Sequence, residues 1–286
     1  MSSRGNRARA RRAGWPRGAL TAAALLAVLF AVTHARAAGD PPANELTPED
    51  RPPAPVPGGD ASLDPARFIP GLLSPATGSL RAVGVGWAGY DGAAHDPVMG
   101  ALAQARLGSR VILGVSATYA PATATTPGAV RPSVSLHVQL LDQERHGLNA
   151  GLGFGFHQDR FVGEEGFLEA VATAGWRSDR TTVVANVGYG RDGEGDDSEA
   201  AVRGAVLRRV TRRLHLGLDG KARKLLVSTD PHRVAHGTPS YEFMAGPVVA
   251  MIMGPVVVAV EGGICGLDRQ RLQTGLATLG TVGAAF

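Results

Sequence analysis

In the stretch LNAGLGFGFH, residues 148–157, the side chains alternate between two kinds. Every second residue is apolar, and the residues between them are Asn, Gly or His. A period of two puts successive side chains on opposite faces of a β-strand. The stretch therefore predicts a strand with one apolar face and one small or polar face. The apolar members are Leu148, Ala150, Leu152, Phe154 and Phe156.

The same alternation recurs on both sides of this stretch, for example over residues 133–140, 182–189 and 214–219. Turn-forming residues separate the alternating segments, which predicts a chain of hairpins. We expect twelve strands of about 10 residues, the length that a tilted strand needs to cross a bilayer. They are placed near 80–90, 98–107, 110–120, 132–143, 147–157, 166–177, 180–190, 198–209, 213–226, 239–252, 255–265 and 271–286.

The predicted connections alternate between tight turns and longer polar loops. Tight turns are expected at 108–109, 144–146, 178–179, 210–212 and 253–254. An outer-membrane barrel has short turns at one end and longer loops at the other, whereas a soluble sandwich has no reason for this asymmetry. The expected fold is therefore all-β, a closed antiparallel transmembrane β-barrel of about 12 strands with up-and-down topology. A soluble secreted sandwich is the competing fold.

Composition agrees with a turn-rich β protein and excludes several classes. The chain has 39 Gly and 19 Pro among 286 residues, and interior glycines weaken a helical bundle. A single cysteine, Cys265, excludes an intramolecular disulfide and a multi-cysteine metal site. No cofactor and no metal are expected.

The first residues have the pattern of an export signal. Residues 1–37 contain seven Arg and no acidic residue, with an apolar run at 19–32 and Ala35-Arg36-Ala37 as a cleavage pattern. An uncleaved N-terminal anchor is the alternative. Removal of the signal leaves 22 of the 29 basic residues against 25 acidic ones, so the basic character that nucleic-acid binding requires is lost.

Residues 38–79 are expected to form a Pro-rich disordered lead, and residues 80–286 the barrel. The stretch at 40–60 is rich in Pro and polar residues, which favours an extended chain without a core. Residues 61–79 are transitional because Phe68, Ile69, Leu72 and Leu73 are apolar. A short plug or strap is the alternative for this part.

The C-terminal strand, which ends in Phe286, resembles the terminal strand of Gram-negative outer-membrane β-barrel proteins. The resemblance covers residues 80–286 and names no specific family. It implies contact with outer-membrane lipid and recognition of Phe286 by the barrel-assembly machinery. The pattern of residues 1–37 predicts that Sec-type export precedes insertion. Oligomeric state is left open.

One stretch is harder to fit to a barrel. Residues 243–260 carry no charge over 18 positions, which by length would suit a transmembrane helix. Two Gly-Pro pairs favour two strands that meet near Gly254, with a bulge at Pro247.

The aromatic residues that we expect to form a girdle at the membrane interfaces are Trp87, Tyr90, Tyr119, Phe154, Phe156, Trp176, Tyr189, Tyr241 and Phe243.

The inward faces of the predicted strands carry polar and charged residues of both signs. Such a lining predicts a hydrated, ion-paired interior or a narrow selective pore. Twelve strands enclose less space than the 16–18 of water-filled porins, so only small solutes are expected to pass. The pore-lining candidates are Gln104, Arg106, Arg110, His137, Gln139, Asn149, Glu169, Arg177, Arg203, His215, Asp219 and Glu261.

Two further roles stay open beside a passive channel. One is a closed structural or interaction barrel that acts through its loops or N-terminal segment. The other is a lipid-modifying enzyme, since Ser135 and His137 share a face with Asn149 on the next strand. The Ser-x-His order and the inward parity are a poor match to outer-membrane lipases, so we do not expect an enzyme.

Overall fold

Twelve antiparallel strands close into one barrel in the computed structural model, which describes residues 63–75, 81–120, 128–158, 166–193, 197–228, 240–268 and 271–286. A short 3-10 helix at Pro65–Phe68 precedes them, and one helical turn, α1, lies at Gln143–His146. The strands are β1 (Ala82–Asp91), β2 (Asp96–Leu107), β3 (Val111–Ala120), β4 (Ala129–Leu141), β5 (Asn149–Gln158), β6 (Gly166–Arg177), β7 (Thr181–Asp192), β8 (Asp197–Arg209), β9 (Leu214–Ser228), β10 (Tyr241–Met253), β11 (Val256–Asp268) and β12 (Leu272–Ala285).

Each strand pairs with its neighbours in the chain, and β1 pairs with β12. The closing pair runs in register from Val83 opposite Ala285 to Asp91 opposite Ala277. Closure leaves no strand edge with unpaired backbone groups, which is the condition for crossing a lipid bilayer. The predicted twelve-stranded antiparallel barrel is confirmed, and the two-sheet sandwich is excluded.

The outward face of the barrel is apolar and exposed. Leu218 and Leu276 are 65% and 72% exposed, and many more large apolar side chains lie on the same outer surface. A soluble monomer rarely exposes so large an apolar surface, whereas a bilayer requires it. Other outward residues with large exposed side chains are Leu113, Val115, Val134, Leu136, Leu152, Phe154, Phe156, Leu168, Val206, Val249, Val260, Ile264 and Val282.

The cost of a charge on this outward face should depend on its depth along the strand. Leu136 lies near the middle of β4, and Leu140 lies next to its last residue. We expect Leu136→Arg to lower the free energy of unfolding in phospholipid vesicles by about 2–4 kcal/mol, and Leu140→Arg by about 0–1 kcal/mol. Urea unfolding measures both values, and equal small losses would contradict a lipid-facing β4.

The connections differ in length less than the sequence predicts. At the end that holds the termini, which we call the terminal end, α1 lengthens the β4–β5 connection to residues 142–148. At the opposite end, which we call the loop end, residues 92–95, 193–196 and 269–271 are short connections. The strict alternation of tight and long connections is therefore wrong. The reason is that β1 and β7 continue to Asp91 and Asp192, into segments that were assigned to loops.

Residues 243–260 form parts of β10 and β11, which meet at a turn at residues 254–255. Across Gly246 and Pro247, β10 and β11 keep one register, so the expected bulge at Pro247 is wrong. The two strands approach so closely here that a Cβ on Gly263 would overlap the backbone of Ala245. No helix among the described residues has the length and apolarity to cross a membrane.

Residues 63–75 are packed inside the barrel, and we call this segment the plug. Phe68 is 0% exposed, and Ile69 and Leu72 are also buried. The sequence predicted a disordered lead over 38–79, with a plug or strap as the alternative for 61–79, and the structure matches that alternative. The apolar pairs Phe68-Ile69 and Leu72-Leu73 explain the difference, because they gain more by burial in the lumen than by exposure to water. The proposed signal peptide, 1–37, and the stretch at 40–60 lie outside the described residues.

Candidate functional site

The plug is held in a compact fold by Asp64. One oxygen of Asp64, Oδ1, accepts a hydrogen bond from the Ala66 N–H at 3.1 Å, which caps the 3-10 helix. The other, Oδ2, accepts one from Ser74 Oγ at 2.7 Å. Asp64 therefore joins the two ends of the plug, and Gly71, with a φ of 77°, allows the chain to turn between them.

Asp64→Ala should loosen the plug without unfolding the barrel, because it removes both bonds within the plug. Loss of an N-cap costs about 0.5–2 kcal/mol, and each lost hydrogen bond about 0.5–1.5 kcal/mol. We expect faster hydrogen exchange at the amides of residues 67–72 and unchanged exchange in the strands. Ser74→Ala, which removes only one bond, is the graded control. If the amides of residues 67–72 were equally protected from hydrogen exchange in the wild type and in Asp64→Ala, this role of Asp64 would be contradicted.

Apolar contacts fix the plug to much of the barrel wall. Phe68 packs at the terminal end with Val83, Val85, Val257 and Ala285, which belong to β1, β11 and β12. Ile69 and Leu72 pack with four residues on β7, β8 and β10. The plug thus spans the lumen from one side of the barrel to the other. The four residues of the second contact are Val184, Ala205, Leu207 and Val248.

Small inward residues make room for the plug. A Cβ on Gly153 would lie 3.1 Å from Leu73 Cδ1, and one on Gly175 would lie 2.8 Å from Pro75 Cγ. The side-chain amide of Asn186, oriented to satisfy its partners, donates to the Leu73 carbonyl at 2.9 Å and accepts from the Leu73 N–H at 2.7 Å. The wall therefore binds the plug through both shape and backbone hydrogen bonds.

One charge works against this packing. Arg67 is buried in the plug, and its Nε has no hydrogen-bond partner among the described residues. Burial and the positive charges of Arg177 and Arg106 on the wall lower the pKa of the Arg67 guanidinium, while Asp64 raises it. The guanidinium stays charged, so the plug is held by apolar burial against a local electrostatic cost.

A cavity of about 280 Å³ lies between the plug and the wall formed by β1–β8. Its lining mixes hydroxyl, amide and charged side chains with apolar ones, so it is suited to water and small polar solutes. Ser116 Oγ and Ser133 Oγ lie 2.5 Å apart in its wall, and His137 Nε2 lies 3.1 Å from Thr173 Oγ1. The polar lining residues are Gln104, Ser116, Thr118, Ser133, Ser135, His137, Glu169, Asn186 and Arg203.

A buried group of charges lies beside the plug. Arg203 Nη2 lies 3.2 Å from Asp219 Oδ2 and 3.7 Å from Glu261 Oε2. The two carboxylates are almost wholly buried, and the Arg203 side chain is 11% exposed. Arg203 also contacts the plug, because a Cβ on Gly71 would lie 2.6 Å from its Nη1. Arg203 therefore pairs with two buried acids, on which Lys221 also acts, and it contacts the turn of the plug.

A second set of contacts lies at the terminal end. Gln139 Nε2 donates to Asn149 Oδ1 at 3.2 Å, and Asn149 Oδ1 also accepts from the Gln143 N–H at 3.0 Å. The Gln143 side chain in turn bonds to the backbone of Arg177. Asn149 and Gln139 therefore serve to join α1 to the strands of the wall.

The structure places the sequence-derived candidates in three groups. Arg110 lies in the β2–β3 turn with an exposed side chain, so it does not line the lumen. Its assignment was wrong because β3 begins one residue later, at Val111. Asn149 and Arg177 lie at strand ends near the terminal end. The remaining candidates lie on the inward parity of their strands, namely Gln104, Arg106, His137, Gln139, Glu169, Arg203, His215, Asp219 and Glu261.

One aromatic residue and several plug residues were placed differently by the sequence. Trp87 lines the cavity and lies against Gly100, so it is not part of an outer girdle. Tyr90, Tyr119 and Tyr189 are exposed, as a girdle requires.

Asp64 and Arg67 were not recognised as functional residues. The Asp64-Pro65 pair was the available signal, because Asp at the cap and Pro at the first position are typical of a helix start.

Comparison with known proteins shows a shared fold and no family. No protein-family model matches the chain, and no curated protein matches it. A NanC porin structure has a TM-score of 0.51 at 11% identity, covering 71% of this chain and 98% of that one. A KdgM porin structure has a TM-score of 0.51 at 10% identity, and the match covers 71% of this chain and 99% of that one. The KdgM porin in complex with disordered oligogalacturonate has a TM-score of 0.50 at 11% identity, and the match covers 71% of this chain and 99% of that one. The chain therefore has the β-barrel fold of porins.

Proposed function

We propose that the chain is a passive outer-membrane channel for small solutes, and that the plug narrows its lumen. The observation that carries the proposal is the polar cavity of about 280 Å³ inside a closed barrel with an apolar outer surface. A lumen lined by hydroxyl, amide and paired charged groups can hydrate a solute during its passage. The fold shared with porins supports the same role.

The proposed orientation puts the terminal end in the periplasm. Outer-membrane barrels have short periplasmic turns and longer external loops. The longest connection, residues 229–240, lies at the loop end, and the shortest, residues 254–255, lies at the terminal end. A segment that precedes β1 therefore enters the lumen from the periplasmic side, as the plug does.

A closed barrel is the second candidate function, and the plug is the observation that favours it. Its apolar side chains contact the wall from β7 and β8 round to β1. A plug that never moves would leave a barrel that acts only through its surfaces. Arg67 is buried and its Nε has no hydrogen-bond partner among the described residues, which is a cost to the packing and favours a plug that can be displaced.

Passive transport, rather than lipid modification, is the role that we assign to Ser135 and His137. Both lie in the cavity wall, away from the outward surface that would contact acyl chains. His137 Nε2 lies at hydrogen-bond distance from Thr173 Oγ1, so the imidazole already has a partner other than Ser135. Ser135→Ala and His137→Ala should leave the turnover of membrane lipids unchanged. A loss of lipid turnover in either variant would show an enzyme.

Single-channel recording in planar bilayers tests the channel. We expect the full-length chain to give discrete current steps of low conductance, because the plug occupies the terminal end of the lumen. Heat-modifiable migration on gels, measured on the same sample, shows that the barrel is folded. A folded sample that carries no current at any applied voltage would overturn the channel and favour the closed barrel.

A further inference from the structure

Five exposed arginines lie at the terminal end of the barrel, three on two neighbouring turns and two at the end of β8. The β6–β7 turn is at residues 178–180, and the β8–β9 turn is at residues 210–213. The turns are adjacent because β7 pairs with β8, and the Arg209 N–H donates to the Arg180 carbonyl at 2.7 Å. We call this set the arginine cluster, whose members are Arg180, Arg208, Arg209, Arg212 and Arg213.

The arginine cluster surrounds a cleft. The cleft has a volume of about 490 Å³, and four of the five arginines line it together with Val210 and Thr211. Backbone hydrogen bonds fix its shape, since the Val210 N–H donates to the Leu214 carbonyl at 2.9 Å. The side chain of Thr211 adds a bond from the Leu214 N–H at 3.0 Å. The turn that carries the cleft is therefore well ordered by its own contacts.

The arginine cluster carries more positive than negative charge. Within the described part of the chain, no member of the cluster forms an ion pair. The acid on these two turns is Asp179, which is exposed beside Arg180. Several like charges around one cleft raise the local positive potential and attract an anion. Guanidinium groups bind phosphate oxygens in bidentate geometry, so a phosphate group fits this lining best.

The position of the arginine cluster points to a lipid as the source of that phosphate. Arg208 has the same outward parity as Val206, which is 41% exposed on the apolar surface. Val210, at the tip of the turn, is 56% exposed. The cluster therefore lies where the apolar outer surface ends and water begins. Basic residues at this level attract the headgroups of anionic lipids.

We propose that the cleft of the arginine cluster binds the phosphate of an anionic phospholipid headgroup at the rim of the barrel. The apolar surface below Arg208 is available for the acyl chains, and the guanidinium groups contact the phosphate. The cleft lies at the terminal rim of the barrel, where Arg208 has the outward parity of β8 and Arg209 the inward parity. Lipid binding there can be measured whether or not the barrel conducts. Its expected effect is to retain anionic phospholipid on the protein in detergent.

Native mass spectrometry of the full-length chain in detergent tests the proposal, with phosphatidylglycerol as the titrated probe. We expect R209Q/R212Q to weaken the first binding step by about 30-fold, since each basic residue near an anionic headgroup contributes to binding. The matched control is R110Q/R145Q, which removes two exposed arginines from other turns at the same end. The control should bind phosphatidylglycerol as the wild type does, and heat-modifiable migration shows that each variant is folded.

Three outcomes would overturn the proposal. If R110Q/R145Q lost phosphatidylglycerol binding to the same extent, the lipid would be attracted by positive charge in general rather than by a specific site. Equally tight binding of phosphatidylcholine to the wild type would remove the requirement for an anionic lipid. Binding of inorganic phosphate that R209Q/R212Q abolishes, with phosphatidylglycerol binding unchanged, would make the cleft a site for free phosphate. Loss of lipid binding in R209Q/R212Q alone supports the lipid site.

Discussion

Deletion of residues 63–75 is expected to raise the single-channel conductance several-fold. The plug fills the terminal end of the lumen with buried side chains, and Phe68 and Ile69 together contact opposite parts of the wall. Removal of these side chains leaves a continuous path lined by the polar residues of β2–β8. The strands keep their complete pairing without the plug, because the barrel closes through β1 and β12. Conductance is measured in planar bilayers at fixed salt and voltage.

A matched control separates the effect of the plug from that of a shorter N-terminal segment. Deletion of residues 41–53 removes the same number of residues from the Pro-rich stretch and keeps the plug. This variant should conduct as the full-length chain does. Equal conductance in the wild type and the 63–75 deletion would mean that the plug does not limit the current. A rise in both deletions would assign the effect to the length of the lead.

Substitution of Arg203 is expected to have the largest effect on stability. Arg203→Leu leaves the buried acids Asp219 and Glu261 with Lys221 as the remaining positive charge that acts on both, and both acids are less than one-tenth exposed. Breaking a buried ion pair by removing one partner costs about 3–5 kcal/mol. Urea unfolding in phospholipid vesicles should show a loss of this size. The plug should also loosen, because Arg203 lies against Gly71.

A triple variant tests whether charge is the cause of that loss. Arg203→Leu combined with Asp219→Asn and Glu261→Gln removes the two acids together with their partner. We expect it to recover most of the lost stability, since no uncompensated carboxylate remains in the wall. A triple variant as unstable as Arg203→Leu would show that the arginine acts through its packing instead.

The strands could be predicted from the sequence because lipid and lumen impose opposite demands on successive residues. Residues 148–157 illustrate this, since Leu152, Phe154 and Phe156 face outward and the glycines between them face the lumen. The period is strong enough that all twelve strands begin within three positions of the expected residues. Closure and the antiparallel order follow from the same pattern, because an open edge is not tolerated in lipid.

The plug and the exact lining could not be predicted in the same way. The plug has no period, and its burial depends on contacts with residues distant in sequence, such as Phe68 with Ala285. The inward position of Trp87 follows from the register of β1. The residue type alone does not show this, because a tryptophan suits both the membrane interface and the interior of a barrel. Arg110 was assigned to the lumen because strand ends are poorly defined by alternation alone. Function at these positions depends on three-dimensional packing.

Along each strand of the closed barrel, every second side chain faces lipid and the others face the lumen. The direct test is a series of spin-labelled single cysteines at residues 133–137 of β4, in a Cys265→Ser background, in phospholipid vesicles. We predict that collisions with oxygen, which is concentrated in lipid, are high at Val134 and Leu136 and low at Ser133, Ser135 and His137. Equally frequent collisions with a water-soluble relaxation agent at all five positions would contradict the alternation of lipid-facing and lumen-facing side chains.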